Sequence, residues 1–159
     1  MKKSRLIISI VFFALTLATT VLIIVNAAIN GETSAAMSNG LTAFIMRVLH
    51  INADESKFAY FIRKSLGHFM LNGFNAGFLT LGLFFYMKDK IKHRALLLVT
   101  SFGYGVLIAA ISELIQLFTD GRTGAMSDVG INSLGCLTFI LIIGLVYSIK
   151  WKVQNKESK

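Results

Sequence analysis

The 159-residue sequence contains no proline, a single cysteine and only 8 acidic residues against 16 lysines and arginines. One cysteine cannot form an internal disulfide, and no paired-cysteine or HxxxH spacing indicates a zinc site. The sequence also lacks a glycine-rich phosphate loop, a G-x-S-x-G turn and any internal repeat. These absences leave the hydrophobic pattern as the main guide to the fold.

Long apolar runs account for a composition that is 55% hydrophobic. Four runs exceed the roughly 18 apolar residues needed to cross hydrocarbon, at residues 6–29, 66–87, 95–118 and 129–149. The first run is longer than the ~7 to 15 residues of a signal-peptide core, so an uncleaved anchor is expected. Because the connections are too short for a separate soluble domain, we predict one all-α domain over residues 1–159, an integral membrane four-helix bundle.

Positive charges cluster at one set of span ends. Eleven of the sixteen lysines and arginines precede the first span, join the second to the third, or follow the fourth. They are Lys2, Lys3, Arg5, Lys88, Lys90, Lys92, Arg94, Lys150, Lys152, Lys156 and Lys159. The positive-inside rule makes these ends cytoplasmic, so both termini are predicted to lie inside. The net charge of +8 then reflects topology, and no nucleic-acid partner is expected because no basic patch is interleaved with aromatics.

One segment on the predicted outer side joins the first two spans. Residues 31–40 are expected to form a loop. Apolar residues then recur at helical spacing, which predicts an amphipathic helix lying flat on the outer surface, with Ser38 or Asn39 as its N-cap. Its apolar residues are Leu41, Phe44, Ile45, Val48 and Leu49. The second spanning helix is predicted to begin near Asp54, well before its apolar run.

Polar side chains gather near the outer ends of the last three spans. The second span carries four of them within about 80 degrees of helix surface by the 3.6-residue period: Lys64, His68, Asn72 and Asn75. Glu113, Gln116, Asp128 and Asn132 lie on the next two spans, and Arg122 lies in the loop that joins these spans. Because lipid offers no hydrogen-bond partners, these groups must face each other or a wet cavity.

Two interpretations of these polar residues are open. The amides alone are explained by hydrogen bonding that holds helices together. The titratable residues cost more in hydrocarbon than such a role justifies, so for them we predict a functional site. Those residues are His68, Glu113, Arg122 and Asp128. His68, Glu113 and Asp128 would suit zinc or a harder ion, but no spacing motif supports one, and no metal or cofactor is expected.

Small residues in the second and fourth spans predict close helix contacts. Gly73 and Gly77 form a small-xxx-small pair, and Gly130, Ser133 and Gly135 would act in the same way on the fourth span. Cys136 is expected to be a packing residue.

Five short runs contain most of the polar residues: RKSLGHF at 63–69, SELIQLF at 112–118, GR at 121–122, SDV at 127–129 and NSLG at 132–135. Together they resemble the VanZ-like family of bacterial membrane proteins, over roughly residues 60–148. The resemblance implies a multi-pass helical protein of the bacterial plasma membrane. The family's name-giving member is associated with low-level teicoplanin resistance, and the resemblance implies no settled reaction.

The signature positions that the resemblance carries over are Lys64, His68, Glu113, Gln116, Arg122, Asp128 and Asn132. This chain departs from the family pattern twice. The family lysine usually stands three residues before the histidine, whereas Lys64 stands four before His68, and Asn72 stands where an aromatic is common.

The function expected from these residues is an envelope protein whose outward-facing pocket binds, or in one version modifies, an anionic lipid or cell-wall-related head group. It would be linked to glycopeptide and lipoglycopeptide resistance. The residues expected to bind the ligand are Lys64, Gln116, Arg122 and Asn132. The residues expected to carry any chemistry are His68, Glu113 and Asp128, with His68 and Glu113 as acid and base.

Two other functions are considered. In the first, a non-catalytic protein alters the access of lipophilic antibiotics, and the polar residues are structural. A small transporter is less favoured, because four spans are few and no broken helix or inverted repeat is present. Whether a reaction is catalysed, and whether the protein forms a homo-oligomer, are left open by the sequence.

Overall fold

Five helices make up the described parts of the chain in the computed structural model, which cover residues 3–87 and 94–157, with side chains to residue 149. They are α1 (Lys3–Ala28), α2 (Gly31–Leu49), α3 (Glu55–Met87), α4 (Arg94–Leu117) and α5 (Met126–Glu157). No strand occurs within these ranges, and the all-α prediction is confirmed.

Four of the helices, α1, α3, α4 and α5, are long and apolar enough to cross a membrane, which confirms the four predicted spans. Helix α3 begins at Glu55, as expected, because the Asp54 carboxylate caps it by accepting from the amides of Ser56 and Lys57 at 3.0 and 3.1 Å. The pKa of Asp54 lies below its usual range, mainly because its carboxylate accepts a hydrogen bond from the Ser56 hydroxyl and, to a smaller extent, because it accepts one from the Lys57 amide.

The orientation of this bundle in a membrane remains a prediction. Several of the cations on which it depends lie outside the described residues, or have side chains that do. These are Lys2, Lys88, Lys90, Lys92, Lys150, Lys152, Lys156 and Lys159.

Helix α3 is central, since it packs against α1, α4 and α5. Gly73 and Gly77 both lie under Phe139 of α5, where a Cβ would come within 2.5 and 3.6 Å of that side chain. Their predicted role in close contact is confirmed, whereas the same prediction is wrong for Gly130, beside which a Cβ would meet open space. Cys136 is fully buried beside Ala76, in agreement with a packing role.

The outer segment is helical from its beginning. Residues 31–40 belong to α2, so the predicted loop is wrong, and the N-cap is Asn30, whose side chain accepts from the Thr33 amide at 2.8 Å. The small polar residues that suggested a loop are accommodated on the helix because their hydroxyls bond within it, as Ser38 does to the Ser34 carbonyl at 2.9 Å. The amphipathic helix expected farther along is present as the second half of α2.

Two hydrogen bonds join the loop between α4 and α5 to the end of α1 and the start of α2. The Gly31 amide donates to the Asp120 carbonyl at 2.8 Å, and the Thr119 hydroxyl donates to the Ala27 carbonyl at 3.2 Å. Gly121 has φ +67 and lies directly against Gly31, so the loop needs glycine for both its conformation and its space. This contact places Arg122 beside the first turns of α2.

Candidate functional site

The structure brings all seven sequence-predicted site residues into one network, which we name the polar cluster: Lys64, His68, Glu113, Gln116, Arg122, Asp128 and Asn132. The cluster lies where α1 and α4 end and α5 begins, at the end of the bundle opposite the N-terminus of α1.

The α3 residues of the cluster lie in a π-helical segment, Arg63–Met70, within the longer helix. Such segments are rare, and they occur often at functional sites. This one turns Lys64 toward Asp128 and His68 toward Asn132, both on α5. Gly135 permits the approach, because a Cβ there would collide with the backbone of Phe69. The four-residue spacing of Lys64 and His68 is therefore accommodated by π-helical geometry.

The imidazole of His68 lies between two carboxylates from different helices. Its Nδ1 is 3.6 Å from Glu113 Oε1, and its Nε2 is 3.7 Å from Asp128 Oδ2. Nδ1 is also 3.2 Å from Asn132 Oδ1. A ring held in this way can gain or lose a proton while its charge stays close to a carboxylate.

Both carboxylates are themselves anchored, although they are only 4% and 7% exposed. Glu113 accepts from the Ala125 amide at 3.1 Å and from the side chain of Gln116 at 3.3 Å. Asp128 forms an ion pair with the ammonium of Lys64. These partners offset the large cost of burying negative charge.

Arg122 connects the cluster to α2. Its Nε donates to Gln116 Oε1 at 3.3 Å, and its Nη1 donates to the hydroxyl of Ser34. Burial lowers the pKa of Arg122, and the nearby Arg63 cation lowers it to a smaller extent. The group is still positively charged, because a guanidinium remains protonated in proteins. The Arg122 cation thus has two neutral hydrogen-bond acceptors in the described structure.

The amides divide into two groups. Asn72 donates to Asn132 Oδ1 at 3.0 Å and so borders the cluster. Asn75 turns away to α1, where its Nδ2 lies 2.8 Å from the hydroxyls of both Thr19 and Thr20. The prediction that Asn75 shares one polar stripe with His68 is wrong as regards its partners, because Asn75 bonds to α1 and not to the cluster.

A cavity of about 410 Å³, which we name the main cavity, adjoins the cluster. Its walls are largely apolar, and they come from the end of α1, the middle of α2 and the beginning of α3: Leu22, Val25, Met37, Leu41, Ile62 and Leu66. Its polar end is formed by His68, Asn72, Ser112, Gln116, Arg122 and Asn132. Lys64, Glu113 and Asp128 do not line it, so four of the seven cluster residues reach the cavity.

Sequence reasoning missed Ser34 and Arg63, both of which line the main cavity. Ser34 fell in the segment expected to be a loop. Arg63 was quoted only as part of a run, although its position supplied a signal: it is one of only five cations on the predicted outer side, where the positive-inside rule makes them scarce.

The cluster also offers a set of metal-ligand atoms. One atom each from His68, Glu113 and Asp128 lies within 4.8 Å of the others. A divalent cation there would have to displace the ammonium of Lys64 from Asp128, or it would lie close to that ammonium and be repelled by its positive charge. The set therefore fits a metal poorly.

Comparison with known proteins gives one match. A family model described as VanZ/LLP1 matches residues 11–147, a range that includes all seven cluster residues. No curated protein and no solved structure matches the chain significantly.

Proposed function

Since the chain belongs to the VanZ/LLP1 family, we propose that it is a multi-pass protein of the bacterial plasma membrane that binds an anionic lipid or cell-wall-related head group. The observation that carries the proposal is the main cavity, which has apolar walls and a polar end at which Arg122 lies. This division matches an amphiphile with a negatively charged head, and the volume falls in the range of about 300–1,000 Å³ typical of ligand pockets.

The binding residues are assigned by their positions. Arg122, Gln116 and Asn132 line the main cavity, and we assign to them the contacts with the head group. Lys64 does not line it, and we assign its role to holding Asp128 in place through the ion pair.

The same arrangement supports proton transfer to a bound head group. His68 lines the cavity, whereas Glu113 and Asp128 contact its two ring nitrogens without lining the cavity. In a catalytic version of the proposal, His68 exchanges the proton with the ligand, Glu113 is its acid–base partner, and Asp128 orients the ring.

The proposal extends to low-level resistance to glycopeptides and lipoglycopeptides, by analogy with the name-giving member of the family. A protein that binds an outer-leaflet lipid or wall precursor is placed to change how such antibiotics meet their target. Expression of the chain in a susceptible host is expected to raise the inhibitory concentration of teicoplanin, and Arg122→Ala is expected to reverse the rise.

Purified protein titrated with anionic outer-leaflet lipids tests the binding. Removing one charge-assisted contact costs about 1.5–3 kcal/mol, so Arg122→Ala is expected to weaken binding by roughly 10- to 100-fold. Glu113→Gln is expected to lower affinity or turnover. Arg47→Ala is the matched control, because Arg47 is exposed near the far end of α2. Unchanged affinity in both Glu113→Gln and Arg122→Ala would remove the proposal.

A second candidate is a non-catalytic protein that alters the access of lipophilic antibiotics, with the cluster as a structural keystone. The observation that favours it is the anchoring of both buried carboxylates by protein groups. On this version, Glu113→Gln lowers the melting temperature and the amount of protein in the membrane. A Glu113→Gln protein that stays folded but no longer binds lipid or confers resistance would speak against it.

A further inference from the structure

A second guanidinium borders the main cavity. Arg63 lines it and also lines a smaller cavity of about 270 Å³, together with Ser38, Ser56 and Tyr60. Arg63 makes no side-chain hydrogen bond or ion pair with any residue in the described ranges. It is close enough to Arg122 to act on it electrostatically, and it opposes the charge of that guanidinium.

The charges that face the main cavity are all positive. Among its lining residues, Arg63 and Arg122 are the only lysines, arginines, aspartates or glutamates. The carboxylates of Glu113 and Asp128 face the imidazole and their own anchors instead. Two like charges without an intervening anion repel each other, and an anion placed between them relieves that repulsion.

An unused donor lies at the same polar end. Asn132 is 1% exposed and lines the main cavity, and its Nδ2 has no hydrogen-bond partner among the described residues. A buried amide left unpaired costs free energy that an acceptor supplied by a ligand would recover. Two guanidinium groups and this amide are all donors, so the group that complements them has acceptors only.

We propose that Arg63 and Arg122 form a clamp selective for a doubly charged terminal phosphate on a lipid, with the Asn132 amide as a third donor. This inference rests on the proposed function and defines its ligand class. A phosphate monoester carries about −1.5 to −2 charge at pH 7, with a second pKa near 6, and it has three acceptor oxygens. A phosphodiester carries a single negative charge, so it neutralises only one of the two guanidinium groups.

The test compares three probes on the detergent-solubilised full chain: phosphatidic acid, phosphatidylglycerol with the same acyl chains, and inorganic phosphate. At pH 7.5, phosphatidic acid is expected to bind roughly tenfold more tightly than phosphatidylglycerol. Lowering the pH to 5 should shrink this preference, because the monoester loses its second charge while the diester does not. Arg63→Gln should remove both the preference and its pH dependence.

Lys57→Gln is the matched control, since it removes one exposed cation from the same helix and should leave the preference unchanged. Arg63→Lys keeps the charge without the planar fork and should retain part of the preference, which provides a second test if Arg63→Gln folds poorly. Melting temperatures of all variants establish that the comparison is between folded proteins.

The outcomes separate the two proposals. An undiminished preference in folded Arg63→Gln would overturn the clamp even if Arg122→Ala abolishes lipid binding, and the proposed function would stand. Unchanged lipid affinity in Arg122→Ala and Glu113→Gln would overturn the proposed function itself. Inorganic phosphate is expected to bind at least 100-fold more weakly than phosphatidic acid, because it buries no chain against the apolar walls. Equal binding by inorganic phosphate would show that the ligand is not a lipid.

Discussion

Asn72 and Asn75 are the same residue type three positions apart, yet they serve different parts of the molecule. Asn72 bonds to Asn132 at the cluster, whereas Asn75 bonds to the backbone and hydroxyl groups of α1. For both residues, the sequence predicted that the side chain faces other protein groups or a wet cavity, because an amide that faces lipid costs free energy. The partner that each side chain finds could not be predicted, because it depends on how α1 and α5 pack against α3.

Asn75 tests the role of an amide that only joins helices. Asn75→Ala removes a donor from Thr16, Thr19 and Thr20, and hydrogen bonds between membrane helices contribute about 0.6 kcal/mol on average and up to about 1.7. The expected loss is about 1–3 kcal/mol of stability, seen as a lower melting temperature, with lipid affinity unchanged. Thr138→Ala is the control, since Thr138 bonds only within its own helix at an exposed position. Loss of affinity in a folded Asn75→Ala protein would contradict the assignment.

The ion pair of Lys64 and Asp128 tests whether the cluster's charges depend on each other. Their side chains are 19% and 10% exposed, so removing one partner leaves a largely buried charge unpaired. Lys64→Met is expected to destabilise the protein by on the order of 3 kcal/mol, and adding Asp128→Asn should restore most of that loss. Chemical denaturation of the four proteins of this cycle measures the coupling. Additive effects of the two substitutions would argue against the pair.

At the scale of the element, the π-helical segment explains how Lys64 and His68 can both belong to the polar cluster although their spacing differs from the family pattern. Lys64 stands four residues before His68, where the VanZ-like pattern usually has three. The sequence showed that departure, but the 3.6-residue period assumed for it could not show that the backbone itself changes period there. Helix α2 gave the opposite error: residues 31–40 were predicted as a loop because they are polar, whereas they are helical. Ser38 bonds within the helix, and Ser34 accepts from Arg122, a partner in a distant part of the chain.

Deletion of Ser65 tests this account of α3. A π-helical segment holds more residues per turn than an α-helix, so removing one residue is expected to convert it to α-helix and restore the three-residue spacing. Lipid binding and the melting temperature should then be largely retained. Deletion of Phe78 from the α-helical part is the control, and it should be severe, because it rotates the remaining residues by about 100 degrees. Equal damage from both deletions would show that the segment does not absorb the change.

At the scale of the whole molecule, the number and extent of the spanning helices could largely be predicted from hydrophobicity. Four apolar runs predicted four helices, and the grouping of His68, Glu113 and Asp128 followed from their shared depth in that arrangement. The main cavity was not predictable in its particulars, because its walls combine parts of α1, α2 and α3 that no sequence pattern relates. Arg63 lines this cavity, and its place among the few cations of the predicted outer side was the only sequence signal for it.

The predicted topology can be measured by labelling. Cys136 is fully buried, so the wild-type chain should react little with a membrane-impermeant maleimide. With both termini inside, Asn39→Cys on α2 should be labelled in intact cells, whereas Ser4→Cys should be labelled only after permeabilisation. Both positions are exposed in the structure, so the difference reports sidedness alone. Labelling of Ser4→Cys in intact cells would contradict the predicted topology and place the N-terminus outside.

Leu22 and Val25 line the main cavity, and yet they are 54% and 52% exposed on the outer surface of α1. Because α1 is a candidate membrane span, we expect the cavity to open sideways toward the acyl chains around the protein. A ligand that arrives by this route diffuses in two dimensions, and its occupancy is set by its mole fraction in the leaflet instead of by its concentration in water. The occupancy of the main cavity would then depend on the lipid composition of the surrounding membrane. Washing cells with buffer would not remove the ligand from the cavity.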